Sequence, residues 1–477
     1  MNVRDLEPKA VWNNFEDLNA VPRPSKKEER VIAFAKAFGE GLGLPTYVDT
    51  CGNVIITKPA TAGKGGSPTV ILQSHLDMVH QKNADTVFDF STQGIESYID
   101  GDWVKARGTT LGADNGMGVA AIMTLLASTD IAHPPLEALF TIDEETGMTG
   151  AMNLEQGVLK GSILMNLDTE DDDEFSIGCA GGIDTNTAKT YTEIEVSNGQ
   201  AFHITVNGLN GGHSGVEINL ERGNANKIMN RLMFGSADLG LQVVDIDGGS
   251  LRNAIPRESF ATIVVQDGMG YSARFDKRVE DIKSDFSFEE PNLNIVLKTV
   301  AVPSKALSVK NSTELTNTLY AVHNGVYVMS RAVEGLVETS SSLARVVLKD
   351  GKFTTQSLQR SSNESGKNDV ANAIAAAFNL GGHTVDQGGS YPGWKPNPNS
   401  DILELMKTKY QELFGEEVHV MVIHAGLECG LLGERVPGLD MISFGPTIKG
   451  PHSPDERVNI KSVQKFWKLL VETLKAM

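Results

Sequence analysis

Three short, continuous apolar runs, each stopping at a histidine or an acid, constrain this chain most. Val70–Leu72 leads into Ser74-His75-Leu76-Asp77, Leu136–Ile142 into Asp143-Glu144-Glu145, and Ile163–Leu167 into Asp168. Runs of this kind, without polar alternation, read as strands buried on both faces, as in a parallel sheet covered by helices. Between the first two lies a helical stretch, Ala113 to Ser128, carrying Val119, Ala120, Ile122, Met123, Leu125 and Leu126. Strands and helices in alternation predict an α/β fold with a mostly parallel sheet. Such sheets bind ligands beyond the carboxyl ends of their strands. His75, Glu144, Glu145 and Asp168 fall at those ends, and Asp114 opens the helix.

The pattern changes after Gly178-Cys179-Ala180-Gly181-Gly182. Alternation in Phe202–Val206 and Phe260–Val265 fits antiparallel strands with one solvated face. Helices are expected at Arg222–Phe234, Ser312–His323 and Asp369–Phe378, and the Pro/Gly/Asn-rich segment Gly388–Ser400 reads as a linker. From Asp401 the first pattern resumes, with helices at Asp401–Leu413 and Ser462–Met477 and strands at Val418–Ile423 and Asp440–Phe444. The expected organisation is a first domain from residues 1–184 and 396–477, interrupted by an α+β lid or dimerisation-type domain over 185–395.

Charge and cysteine usage narrow the function classes. A net charge of −19 over 477 residues, with no block of lysines and arginines, argues against a nucleic-acid binder. No run of about 18 apolar residues suggests a membrane span, and Met1–Pro22 has no signal-peptide core. Only Cys51, Cys179 and Cys429 occur, too few for a disulfide framework, so cytoplasmic residence is expected.

His75, Asp114, Glu145, Asp168 and His452 are two imidazoles and three carboxylates, enough for two divalent cations sharing one carboxylate. Each has an ordinary reading as well. Alone, Asp114 reads as a helix N-cap, although Gly112, Gly116 and Gly118 suggest close backbone approach. Glu144-Glu145 could be an acidic first turn of a helix, Asp168 a turn residue, and His452 a surface residue between Pro451 and Pro454. Their common placement favours the metal reading. Asp77, two residues past His75, is placed to hydrogen-bond that imidazole, and Glu144 is a spare carboxylate for proton handling. Nitrogen and oxygen ligands without thiolate suit Zn²⁺, Co²⁺ or Mn²⁺.

In the middle domain, Gly211-Gly212-His213-Ser214-Gly215 presents a histidine on a glycine-rich loop, either a plain flexible loop or a donor to a substrate carbonyl. Arg252-Asn253 and Arg360 offer donors for a terminal carboxylate, with salt bridges to local acids as the alternative. No phosphate-binding loop, nucleophile elbow or Cys-x-x-Cys pair is present.

The ordered set resembles the co-catalytic dizinc exopeptidases, which include aminoacylases, succinyl-diaminopimelate desuccinylase and carnosinases. Gln73-Ser74-His75-Leu76-Asp77-Met78-Val79, Thr109–Gly116, Ser361–Ser365 and His424-Ala425-Gly426-Leu427-Glu428-Cys429-Gly430 are similar to strings in the dipeptidases of that family. The resemblance implies two Zn²⁺ ions, with His75 and Asp168 on one, Glu145 and His452 on the other, and Asp114 bridging. It implies that Asp77 orients His75 and that Glu144 is general base and acid, while His213, Asn253 and Arg360, from the donors of the middle domain, are the candidate substrate contacts. Expected substrates are small unblocked dipeptides, Xaa-His species such as carnosine included, and a homodimer is consistent with the resemblance. An N-acyl amino-acid deacylase and a non-catalytic metal-binding protein are the alternatives.

Overall fold

A computed structural model describes residues 2–477. The chain forms two compact units. One comprises the chain up to Gly178 together with Pro396–Val422 and Leu427–Met477; the other comprises Cys179–Lys395 and Ile423–Gly426. Residues 179–184 and 423–426, expected in the first domain, fall in the second unit.

The first unit is built on a sheet of eight strands: β1 (Thr46–Val48), β2 (Val54–Lys58), β3 (Val70–His75), β4 (Leu136–Thr141), β5 (Ile163–Asn166), β6 (Glu174–Cys179), β7 (His419–Ile423) and β8 (Asp440–Ser443). Their order across the sheet is β1-β2-β4-β3-β5-β8-β6-β7. The central four, β4, β3, β5 and β8, run parallel. Antiparallel strands flank them, β2 on one side and β6 on the other. Every residue of β3 and β4 is buried, as two covered faces require. A helix over Ala113–Ala127, buried on nearly all sides, packs near Trp12 and Phe15 of an N-terminal helix, Lys9–Asn19. Each large side chain buried there contributes about 1.5–3 kcal/mol.

The second unit has an antiparallel nine-stranded sheet with helices Ala225–Met233, Gly268–Asp285, Val309–Ala321 and Glu364–Leu380. Its core joins Phe202, Ile204 and Val206 with Ile228, Leu232, Leu315, Ile374 and Phe378. Two expectations are corrected. The helix Gly268–Asp285 was not foreseen, because Tyr271, Phe275, Val279 and Ile282 form a sparse inward stripe on an otherwise charged segment. Gly388–Tyr391, read as linker, ends a strand, Thr384–Tyr391, paired with Gly181–Thr190. The glycines mimic a turn, and the register shift between Gly388 and Tyr391 hides the alternation.

Candidate metal centre

All five proposed ligands and both proposed catalytic acids lie in the first unit, mostly at one end of its parallel strands. His75 is the last residue of β3, and Asp168 lies two residues past β5. Glu144 and Glu145 open a single-turn helix, Glu144–Gly147, just beyond β4. His452 sits in the turn between Ile448–Lys449 and Arg457–Asn459, with a φ of 60°. His75 Nε2 lies 3.1 Å from Asp114 Oδ1 and 3.6 Å from Asp168 Oδ1. His452 Nε2 lies 3.0 Å from Glu145 Oε2 and 3.4 Å from Asp114 Oδ2. The two oxygens of Asp114 therefore face different histidines.

Asp114 is not the helix cap its sequence context suggests. Gly112 occupies the cap position without a side-chain bond, and regular helix geometry begins only after Asn115. That departure frees the Asp114 carboxylate to point at the two imidazoles. Asn115 Nδ2 donates to the Leu167 carbonyl at 2.9 Å and to the Asp168 carboxylate, tying the loop to the end of β5.

Asp77, fully buried, does more than touch His75. Its Oδ1 lies 3.4 Å from His75 Nδ1 and accepts the Glu144 N–H at 3.0 Å. Its Oδ2 accepts the Glu145 N–H at 3.3 Å and the Ser25 hydroxyl at 2.8 Å. The carboxylate thus caps, from another loop, the short helix that presents Glu144 and Glu145. Both acids do occupy the first turn of a helix, and that turn sets them beside the histidines. Glu144 Oε2 stands 4.0 Å from His75 Nε2.

The electrostatics are those of a crowded anionic site. Burial pushes Glu144 and Asp168 well above the usual carboxylate range, with neighbouring carboxylates adding to it. For His75 burial acts downward, but Asp168, Asp114 and Asp77 overcome it and raise the imidazole well above its ordinary value. Hydrogen bonds to Asp114 and Glu145 push His452 up to about 11. Against burial, bonds to His452 and His75 hold Asp114 low. Glu145 Oε1 is buried without a hydrogen-bond partner among the described residues. One atom each of His75, Asp114 and Glu145 lie within 4.8 Å of one another, so this group could hold a metal ion. Excess buried negative charge, an orphaned carboxylate oxygen and an all-nitrogen-and-oxygen donor set fit divalent cations.

Sequence reasoning missed the layer beneath. Glu428, fully buried, accepts from Gln73 Nε2 and Thr141 Oγ1, both at 2.6 Å. Gln73 Oε1 in turn accepts from Asn166 Nδ2 at 2.5 Å, and Asn166 Oδ1 from the Ser443 hydroxyl at 2.5 Å. This chain links β3, β4, β5 and β8 just below the ligands. A glutamate in a string of small residues gave one signal for it, since such a context argues for burial. Arg23 and Glu456, also buried, flank the Asp114 loop.

The second unit gathers its own polar cluster. His213 Nδ1 accepts the N–H groups of Gly215 and Val216, both at 3.2 Å. Burial and the Arg360 charge pull this imidazole down to about 4. It is therefore neutral at ordinary pH, with its proton on Nε2, ready to donate. Arg360 is buried, donates to the Tyr391 hydroxyl at 3.0 Å, and has no carboxylate within ion-pair distance among the described residues. A Cβ on Gly215 would lie 2.9 Å from His213 Cε1 and 3.0 Å from Arg360 Nε, so only glycine lets them converge. His424, which sequence reasoning did not single out, joins them through its carbonyl, 2.2 Å from that same Cβ position. Arg252 instead pairs with Asp184 at 2.9 Å, the salt-bridge alternative. Asn253 is exposed, and its carbonyl accepts the Ser214 N–H at 2.9 Å.

Known proteins resemble this chain over nearly its whole length. The cytosol non-specific dipeptidase of Escherichia coli (strain K12) is 44% identical over 474 residues, covering 98% of each chain. The crystal structure of aminoacylhistidine dipeptidase from Vibrio alginolyticus superposes with a TM-score of 0.95 at 42% identity, covering 100% of this chain and 98% of that one. Aminopeptidase PepT from Bacillus cereus ATCC 10987 shares the fold, with a TM-score of 0.58 at 16% identity and 98% of each chain covered. A family model matches from residue 71 to residue 476, across β3, the Asp114 loop and the His452 turn alike, and the chain belongs to peptidase family M20/M25/M40.

Proposed function

We propose that this chain is a metal-dependent dipeptidase that hydrolyses small unblocked dipeptides, including Xaa-His dipeptides such as carnosine. The observation that carries the reading is the convergence of two imidazoles and three carboxylates around Asp114, with the Glu144 carboxylate beside them. The two full-length relatives are both named dipeptidases, which supports the substrate class.

In this reading His75 and Asp168 would hold one cation and Glu145 and His452 the second, with Asp114 available to both; Zn²⁺ is the expected metal, and Co²⁺ or Mn²⁺ suit the same donors. Two bound divalent cations would acidify a water molecule and polarise the peptide carbonyl. Asp77 keeps the His75 ring and the Glu144–Glu145 turn in register. Glu144 accepts the proton of the attacking water as the new C–O bond forms at the carbonyl carbon. It returns that proton to the amine nitrogen as the C–N bond breaks, so no net proton is lost. His213, as a neutral Nε2–H donor, stabilises the carbonyl oxygen as it becomes negative. Arg360, lacking an acidic partner, takes the terminal carboxylate, and Asn253 makes a secondary substrate contact. Cytoplasmic residence is part of the reading, supported by the name of the Escherichia coli relative; among the described residues no helix is long and apolar enough to cross a membrane. A homodimer is the expected assembly, checked by light scattering.

The test compares carnosine with its N-acetylated form, using Zn²⁺-loaded protein. Free histidine should appear from carnosine and not from the blocked dipeptide. Preference for the blocked form would make the chain a deacylase, and a flat trace on a panel of dipeptides with metal bound would make it a binder.

A further inference from the structure

We infer that Glu456 and Arg23 are positioning residues that preshape the Asp114 loop for metal; this rests on the dimetal reading above. Glu456 is 2% exposed, and its carboxylate accepts four successive backbone N–H groups. Leu111 and Gly112 donate to Oε2 at 2.7 and 2.9 Å, and Ala113 and Asp114 to Oε1 at 2.8 and 3.2 Å. Arg23, 1% exposed, grips the same loop through a carbonyl: Nη2 donates to Gly112 O at 2.6 Å. Its Nη1 donates to Leu76 O and Asp77 O, both at 3.1 Å, which anchors the loop after His75 to the same guanidinium. The backbone at Gly112 is thus held by an anion at its amide and a cation at its carbonyl.

The glycines flanking Asp114 follow from this clamp. A Cβ on Gly112 would lie 2.5 Å from Arg23 Nη2, and one on Gly116 would lie 2.7 Å away. The close backbone approach those glycines imply is made to a buried guanidinium.

Glu456 also belongs to the turn that carries His452, between Ile448–Lys449 and Arg457–Asn459. By holding the amides of residues 111–114, it fastens the His452 turn to the Asp114 loop, and His452 Nε2 comes within 3.4 Å of Asp114 Oδ2. Two ligands far apart in sequence are brought together by contacts that need no cation. Without Glu456, metal binding itself would have to order both loops and would bear the entropy of doing so.

Metal-free full-length protein and its Glu456→Gln variant are titrated with Zn²⁺ against a chromophoric chelator, with Asp114→Ala as reference. The variant keeps the shape but puts an amide where an anion faced N–H donors. Wild type should take up two Zn²⁺, and the folded variant should bind roughly 10–100-fold more weakly, the usual effect of removing a residue that orients ligands. Wild-type affinity in folded Glu456→Gln overturns the inference. If wild type binds no Zn²⁺, or Asp114→Ala binds as tightly as wild type, the dimetal reading fails and takes this inference with it. Should the variant not fold, hydrogen exchange of metal-free wild type decides. Protected amides at 111–114 support the clamp, and exchange there as fast as in exposed loops refutes it.

Discussion

Replacing Glu144 with Gln isolates proton transfer from every other property of the site. The backbone N–H of Glu144 is held by Asp77 Oδ1 at 3.0 Å, a contact the substitution leaves intact, so the turn keeps its shape. The side chain keeps its volume and loses only the ability to carry a proton. Its Oε2 stands 4.0 Å from His75 Nε2, whereas Glu145 and Asp114 approach the imidazoles at 3.0 and 3.1 Å, so metal uptake should persist. General acid–base catalysis contributes about 10²–10⁴ in rate. With Glu144 in its proposed double role, base and then acid, the upper half of that range applies, a loss of roughly 10³–10⁴ in kcat, or about 4–5.5 kcal/mol. The assay is steady-state release of histidine from carnosine, with metal content measured on the same samples. KM should move by no more than a few-fold. A kcat within tenfold of wild type would refute the proton-transfer role, and loss of metal along with activity would make Glu144 a ligand instead.

Two further outcomes follow from the second unit. Removing the Arg360 guanidinium (Arg360→Ala) should raise KM for dipeptides roughly 10–100-fold, the size of a lost charge-assisted hydrogen bond. It should also abolish the preference for a free terminal carboxylate over its amide; an unchanged preference would move carboxylate recognition elsewhere. His213 and His383 are both pulled down to about 4, chiefly by burial. Their folded values lie below the unfolded value of about 6.5, so their neutral forms stabilise the fold above that pH. That contribution is lost as pH falls from about 6.5 towards 4, where the unfolded chain binds protons first. The melting temperature should therefore drop between pH 7 and pH 5, and His383→Gln, within the Tyr191–Phe353–Phe378 cluster, should shrink the drop. An equal drop in the variant would show that His383 is not one of the groups responsible.

Much of the first unit was legible because its signals are local. Buried parallel strands are short apolar runs, and the ligands sit at their ends, so β3, β4 and β5 and the residues His75, Glu144, Glu145 and Asp168 could be read together. What escaped depended on distant partners. Glu456 follows Pro454-Asp455 and looks like a surface acid until the Asp114 loop is seen to donate to it. Arg23 lies between two prolines, with nothing nearby to say that it spans the loops at residues 76–77 and 112. The helix Lys9–Asn19 needs no distant partner to be seen, since Val11, Trp12, Phe15 and Leu18 repeat at helical spacing along one face. Asp114 shows the limit most clearly. Local rules make it a helix cap, and only the convergence of His75 and His452, one from each end of the chain, explains why it is not.

The central claim is that two cations held around Asp114 are required for peptide hydrolysis. The most direct measurement strips the protein of metal and follows carnosine cleavage while Zn²⁺ is added in known equivalents. The metal-free protein should show no turnover, and activity should rise to a plateau at two equivalents per chain. Full turnover in the presence of a strong chelator, or a plateau already reached at one equivalent, would contradict the claim.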